Sequence, residues 1–196
     1  MWHCFSRGWC QTQVILSVGW LEERKGHHIL IQAIKKVSLS IPTIKCIIVG
    51  RGSQEGQLRE LINQLHLEEH VEIVDNMPHS ELMSFMSWCD VFALPSWDEP
   101  FGVVYVEAMG CKTPIIGTKG EGIAEVIEDG KHGLLVQPRD VDSLVQALLT
   151  LLRNDELARR MGEEGRKLVL GELSWEANAS YTISIFQKLL RGQICQ

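Results

Sequence analysis

No stretch of the chain approaches the ~18 consecutive apolar residues of a membrane-spanning helix, and the N-terminus lacks the apolar run of a secretory signal. These absences point to a soluble protein, expected in the cytoplasm. Basic residues are outnumbered, 19 Lys and Arg against 25 Asp and Glu, giving a net charge of -6. There is also no basic tract with interleaved aromatics, so a nucleic-acid partner is not expected. The six cysteines (Cys4, Cys10, Cys46, Cys89, Cys111, Cys195) include no Cys-x-x-Cys pair. They are read as reduced thiols, three of them small apolar fillers in or beside regular elements, rather than as disulfides or zinc ligands. Repeats and low-complexity tracts are missing too. With 196 residues, 45% of them hydrophobic, the chain can fill one core and is too short for two ordinary domains with a cleft between them.

What is present is alternation. Residues 1–12 have no periodicity and read as a linker remnant or disordered N-terminus, leaving residues 13–196 as the folded domain. Short apolar runs at Val14 to Val18, Lys45 to Val49, Val71 to Val74, Val91 to Leu94, Pro114 to Gly117 and Leu134 to Val136 predict strands. Between them, helical spacing predicts helices over Gly26 to Leu39, about Ser53 to His66, Ser80 to Trp88, Phe101 to Met109 and Gly122 to Ile127. After Pro138 the pattern turns wholly helical, with Asp140 or Asp142 capping one helix and Asp155 and Ser174 starting two more. Strand and helix in alternation with short connections imply an α/β, doubly wound, Rossmann-like parallel sheet covered on both faces, with a helical C-terminal tail. Such a sheet binds ligands outside the carboxyl ends of its strands, where the loops carrying Gly19, Gly50 and Glu99 emerge.

One loop concentrates the chemistry. Pro95-Ser96-Trp97-Asp98-Glu99-Pro100-Phe101-Gly102 follows a strand and opens a helix that carries Glu107, with seven residues between the two glutamates. The helix start at Phe101-Gly102-Val103 presents unpaired backbone N–H groups and a partial positive charge, and Gly102 has no side chain to obstruct a phosphate. Lys25 projects from the loop after the first strand, beside a second helix start, where an ammonium would offset phosphate charge. Taken one at a time, these residues read equally as solvated surface charges. Gly50-Arg51-Gly52 is half of a dinucleotide fingerprint, but Glu55 stands where the third glycine belongs, so it reads as a tight turn walling a nucleotide. Asp140-Val141-Asp142 precedes a helix and reads as its cap rather than a metal-binding Asp-x-Asp. His27, His28 and His79 are read as surface residues. The glycines of Gly120-Glu121-Gly122-Ile123 read on their own as closing a tight turn.

Together the Glu99 to Glu107 string closely resembles the Glu-x7-Glu signature of the retaining, family-four glycosyltransferases of the GT-B class, Gly19, Leu21, Lys25 and Gly26 match a second element of that family, and Gly120-Glu121-Gly122-Ile123 resembles its glycine-rich turn against the sugar pocket. The resemblance covers roughly residues 14 to 190. It implies a bound nucleotide-diphosphate sugar as co-substrate, with no cofactor and no metal. Catalytic roles fall on Glu99 and Lys25. The same likeness places the sugar at Glu99, the ribose hydroxyls at Glu107, the diphosphate at Lys25 and the Phe101, Gly102 and Val103 amides, and the nucleotide beside Gly19, Met77 and Pro78. Trp20 stands where many members carry an arginine, with Arg24 the neighbouring replacement. Members have two similar domains, and this chain resembles the C-terminal one. The resemblance therefore implies an N-terminal acceptor-binding domain or separate subunit as partner. Two other readings are open from the sequence: a non-catalytic nucleotide-sugar-binding module, and a dinucleotide-dependent oxidoreductase suggested by fold class alone.

Overall fold

The computed structural model describes residues 12–190. Six strands, β1 (Val14–Val18), β2 (Lys45–Val49), β3 (Val71–Val74), β4 (Val91–Ala93), β5 (Ile115–Thr118) and β6 (Leu134–Val136), form one sheet in the order β3-β2-β1-β4-β5-β6. Every pairing is parallel, with Ile15 opposite Val91 and Leu16 opposite Phe92 where β1 meets β4. The chain winds outward from β1 to β3, then returns to lay β4 against the other side of β1. The β1–β4 junction is therefore the switch point at which such sheets open a crevice.

The strands are nearly continuous apolar runs because both sheet faces are covered, and alternate residues feed two cores. Ile15, Ile48, Ala93 and Ile116 face one layer, built from α1 (His27–Ser38), α2 (Glu55–Gln64) and α6 (Val141–Leu152). Leu16, Ile47, Phe92 and Ile115 face the other, with α3 (His79–Met86), α4 (Val103–Gly110) and α5 (Gly122–Val126). The α1 face expected from spacing (Ile29, Leu30, Ala33, Ile34, Val37) is buried as a unit. Burying each large aliphatic side chain of this kind contributes about 1.5–3 kcal/mol. α7 (Asp155–Gly171) spans both cores, with Met161 in the first and Leu168 and Val169 against the second, and α8 (Trp175–Leu190) is the last described element.

The structure refines the sequence reading in particulars that have identifiable reasons. Gly102 adopts a left-handed φ of 76° and caps α4, so the helix starts at Val103 and leaves Phe101 in the loop. α7 starts at Asp155 as read, and Asn154 is its cap, the side chain accepting from the Leu157 amide at 2.9 Å. The loop after β1 carries an unforeseen 3-10 turn over Glu23–Lys25. The other caps lie where expected: Asp140 accepts from the Asp142 and Ser143 amides at 2.9 and 3.0 Å, and Ser174 accepts from the Ala177 amide at 3.1 Å. Cys46 and Cys89 are buried free thiols and Cys111 is a half-buried one, the first two held protonated by burial. Cys4, Cys10 and Cys195 lie outside the described residues, as does nearly all of the N-terminal segment read as a linker remnant. Among the described residues no helix is long and apolar enough to cross a membrane.

Candidate functional site

Two loops meet at the switch point. The β1 loop brings Lys25 and the β4 loop brings Glu99, and the Lys25 ammonium donates directly to the Glu99 carboxylate although the two lie 74 positions apart. Both side chains are about one tenth exposed, at 11% and 10%. The family resemblance implies separate duties for these residues toward phosphate and sugar, and the fold joins them in a single ion pair.

Backbone packing holds that pair in place. The Trp97 amide donates to the Arg24 carbonyl at 2.8 Å, and the Arg24 guanidinium reaches the Asp98 carbonyl at 3.4 Å. Gly26, at φ 70°, lies so close to the β4 loop that a Cβ there would sit 2.2 Å from the Pro95 carbonyl oxygen. On the far side the Glu99 amide donates to the Glu121 carboxylate at 2.8 Å, and the Gly122 amide donates to the Glu99 carbonyl at 3.1 Å. A Cβ on Gly122 would sit 2.0 Å from the Pro100 oxygen. The Gly120-Glu121-Gly122-Ile123 segment thus braces Glu99, and the Glu121 carboxylate has a role in that brace that its glycine-rich surroundings did not announce. Trp97 is buried under the loop, with the Arg139 guanidinium 4.7 Å over its ring and His28 edge-on at 5.7 Å. Buried Tyr105 of α4 donates to the Leu94 carbonyl and lies 3.2 Å from the Ser96 hydroxyl, tying the loop base to the helix.

His27 corrects the expectation of a surface histidine. It is 1% exposed, its Nδ1 lies 3.3 Å from the Ser17 hydroxyl, and its Nε2 has no partner. Burial pushes its pKa down to about 4, so the ring is neutral near pH 7. The reason is topological: α1 begins directly over the end of β1. His28 is half-buried against Trp97, and its pKa is lowered for the same reason. His79 is exposed as expected.

The other half of the crevice lies over β1, β2 and β3. A cavity of about 260 Å³ is lined by Gly19, Trp20, Gly50, Arg51, Met77 and Leu82, among others. The β1 and β2 loops are joined there by the Leu21 amide donating to the Arg51 carbonyl at 2.9 Å. Trp20 is 59% exposed, so an aromatic face stands where a guanidinium was expected. Arg24 is turned toward Glu22, at 2.9 Å, and the Asp98 carbonyl. Glu107, half-buried on α4, accepts from His79 Nε2 at the start of α3 at 2.9 Å. Phe101 and Val103 are exposed at the open end of α4.

The pieces bring cationic, anionic and apolar groups together along one crevice. The N-terminal amides of α4 and the Lys25 ammonium attract an anion. The Glu107 carboxylate can accept further hydrogen bonds, and an open slot lies beside Trp20 and Met77. An all-parallel doubly wound sheet with this crevice is the GT-B, nucleotide-sugar-binding architecture. The profile of the family described as "Glycosyl transferases group 1" matches residues 10–168, and the chain belongs to that family. It is 29% identical over 179 residues to a glycogen synthase of Mycobacterium tuberculosis, covering 91% of this chain and 43% of that protein. It superposes on sucrose-phosphate synthase from Thermosynechococcus elongatus with a TM-score of 0.80 at 30% identity, covering 92% of this chain and 46% of that one. For Anabaena HepE in complex with UDP-glucose the TM-score is 0.79 at 26% identity, covering 90% of this chain and 49% of that one. The chain spans about half the length of the curated relatives it matches.

Proposed function

We propose that residues 13–196 form the donor-binding domain of a retaining, metal-independent glycosyltransferase. It would take a hexose-type sugar from a nucleotide-diphosphate sugar and pass it to an acceptor held by an N-terminal domain or separate subunit. The observation that carries the reading is the meeting of Lys25 and Glu99 at the switch point, beside the open end of α4. The solved relative holding UDP-glucose adds to it. On this reading the diphosphate lies between Lys25 and the Phe101, Gly102 and Val103 amides, Glu107 takes the ribose, Gly19 and Met77 line the base, and Glu99 takes the sugar. Lys25 then neutralises two anions at once, the leaving diphosphate and Glu99, which keeps a carboxylate tolerable close to phosphate.

In the reaction the bond from the anomeric carbon to the phosphate oxygen breaks while a bond to the acceptor oxygen forms on the same face. The acceptor proton passes to the departing diphosphate, so no pair of acid and nucleophile carboxylates is required. Rate enhancement comes from positioning and charge stabilisation. A thermal-shift screen with UDP, GDP, ADP and their sugar conjugates tests the reading. One diphosphate and its conjugate should raise the melting temperature, since a ligand of the folded state stabilises it, and no shift with any of them contradicts the proposal. Trp20 in place of a cation favours a second reading, a non-catalytic nucleotide-sugar module. Sugar transfer on adding an acceptor domain separates the two. The oxidoreductase alternative has little support because Gly50-Arg51-Gly52 follows β2 rather than the first strand and Glu55 stands where the third glycine of a dinucleotide fingerprint belongs.

A further inference from the structure

The hydrogen bond between His79 and Glu107 links two parts of the crevice that the sequence reading treated separately. His79 is the first residue of α3, directly after Met77 and Pro78, and Met77 lines the slot. The start of α3 is fixed by the Glu81 and Leu82 amides, both donating to the Pro78 carbonyl at 3.0 Å. From that fixed point the imidazole crosses to α4 and donates from Nε2 to Glu107 Oε1 at 2.9 Å. A carboxylate only accepts, so Nε2 carries the hydrogen whatever the charge on the ring. Among the described residues Glu107 Oε2 has no hydrogen-bond partner, and the carboxylate is 28% exposed.

We propose that His79 is a positioning residue of the nucleotide site: it anchors one oxygen of Glu107 so that the other faces the ribose hydroxyls. The inference rests on the reading of Glu107 as the ribose acceptor. Without an anchor, a half-exposed glutamate samples several rotamers, and a ligand must order it on binding. With the anchor, that ordering is already done before the nucleotide arrives. The pair itself is too exposed to matter much for stability. Its consequence should therefore appear in ligand affinity and only where ribose hydroxyls are present.

Calorimetry on the whole chain tests this, with whichever of UDP, GDP and ADP stabilises it most and the dideoxy analogue of that nucleotide lacking both ribose hydroxyls. His79→Ala should weaken the parent nucleotide about 3- to 10-fold, the range expected when one side chain must be ordered on binding. It should leave the dideoxy analogue unchanged. His79→Gln, whose amide N–H reaches to a similar depth, should restore most of the affinity. Equal losses for both ligands, no loss in His79→Ala, or no rescue by glutamine would each overturn the positioning role. Glu107→Ala separates the two levels: if it too leaves the parent nucleotide unaffected, the ribose assignment fails; if it weakens binding while His79→Ala does not, only the role of His79 fails.

Discussion

On the β1–β4 side of the crevice three loops are braced backbone to backbone, with Gly26 against Pro95, Gly122 against Pro100, and Lys25 and Glu99 nearly enclosed. On the β2–β3 side the crevice is walled by exposed side chains: Trp20, and Arg51 paired with Asp75 at 3.4 Å where both are more than half exposed. The difference matches the tasks proposed for the two sides. Bond exchange at a sugar carbon needs atoms held in place, and small misplacements are costly. Selecting a base needs only a slot whose lining can change without disturbing the centre.

The largest effect should come from breaking the brace. Gly122→Ala drives a Cβ into the Pro100 carbonyl, and denaturant unfolding should show a loss of about 3 kcal/mol, with the sugar conjugate losing affinity as Glu99 is displaced. Gly120→Ala, two residues away, meets nothing within 4 Å and carries only the strain of a φ of 79°, so it should cost about 1 kcal/mol. Equal losses would show that the brace is no tighter than an ordinary turn.

Beneath the braced side, His27 should make stability depend on pH. Its folded pKa is about 4 against 6.5 in the unfolded chain, so the unfolded state takes up the proton first. Stability should fall as pH drops from about 6.5 toward 4, by up to about 3 kcal/mol. His27→Leu should remove that contribution, and it also removes the unpartnered Nε2. An unchanged slope in the variant would mean that other groups govern the acid limb.

Lys25→Ala should cost about 1–3 kcal/mol of nucleoside diphosphate affinity and almost none for the nucleoside, the scale of a charge-assisted hydrogen bond. Equal losses for both would place Lys25 away from the phosphates. On the open side the effects are smaller and reversed in kind. Trp20→Ala should weaken nucleoside and diphosphate alike by about 1 kcal/mol if the indole stacks on the base. A loss confined to the diphosphate would show that Trp20 lies along the phosphates, where the arginine of many relatives is expected.

The same contrast explains what was legible in the sequence. Strand runs, the α1 face, the Asp140 cap and the helix carrying Glu107 follow local rules of period and turn chemistry, so they could be read directly. The meetings of Lys25 with Glu99, Glu121 with the Glu99 amide and His79 with Glu107 depend on strand order, because their partners are tens of residues apart. The burial of His27 depends on α1 starting over Ser17, which no local pattern announces. On α8, Tyr181 and Phe186 are exposed and Ile185 is half-buried, an apolar strip that the helical spacing places on one side of the chain's last described element. Ile183 and Leu190 extend the exposed strip.

The central claim is that one crevice divides a nucleotide sugar between Glu107 at the ribose and Glu99 at the sugar. The direct measurement is calorimetric binding of a nucleoside diphosphate and its sugar conjugate to the unaltered chain, Glu107→Ala and Glu99→Ala. The account expects Glu107→Ala to weaken both ligands alike and Glu99→Ala to weaken mainly the conjugate. Equal losses for both ligands in both variants would contradict it.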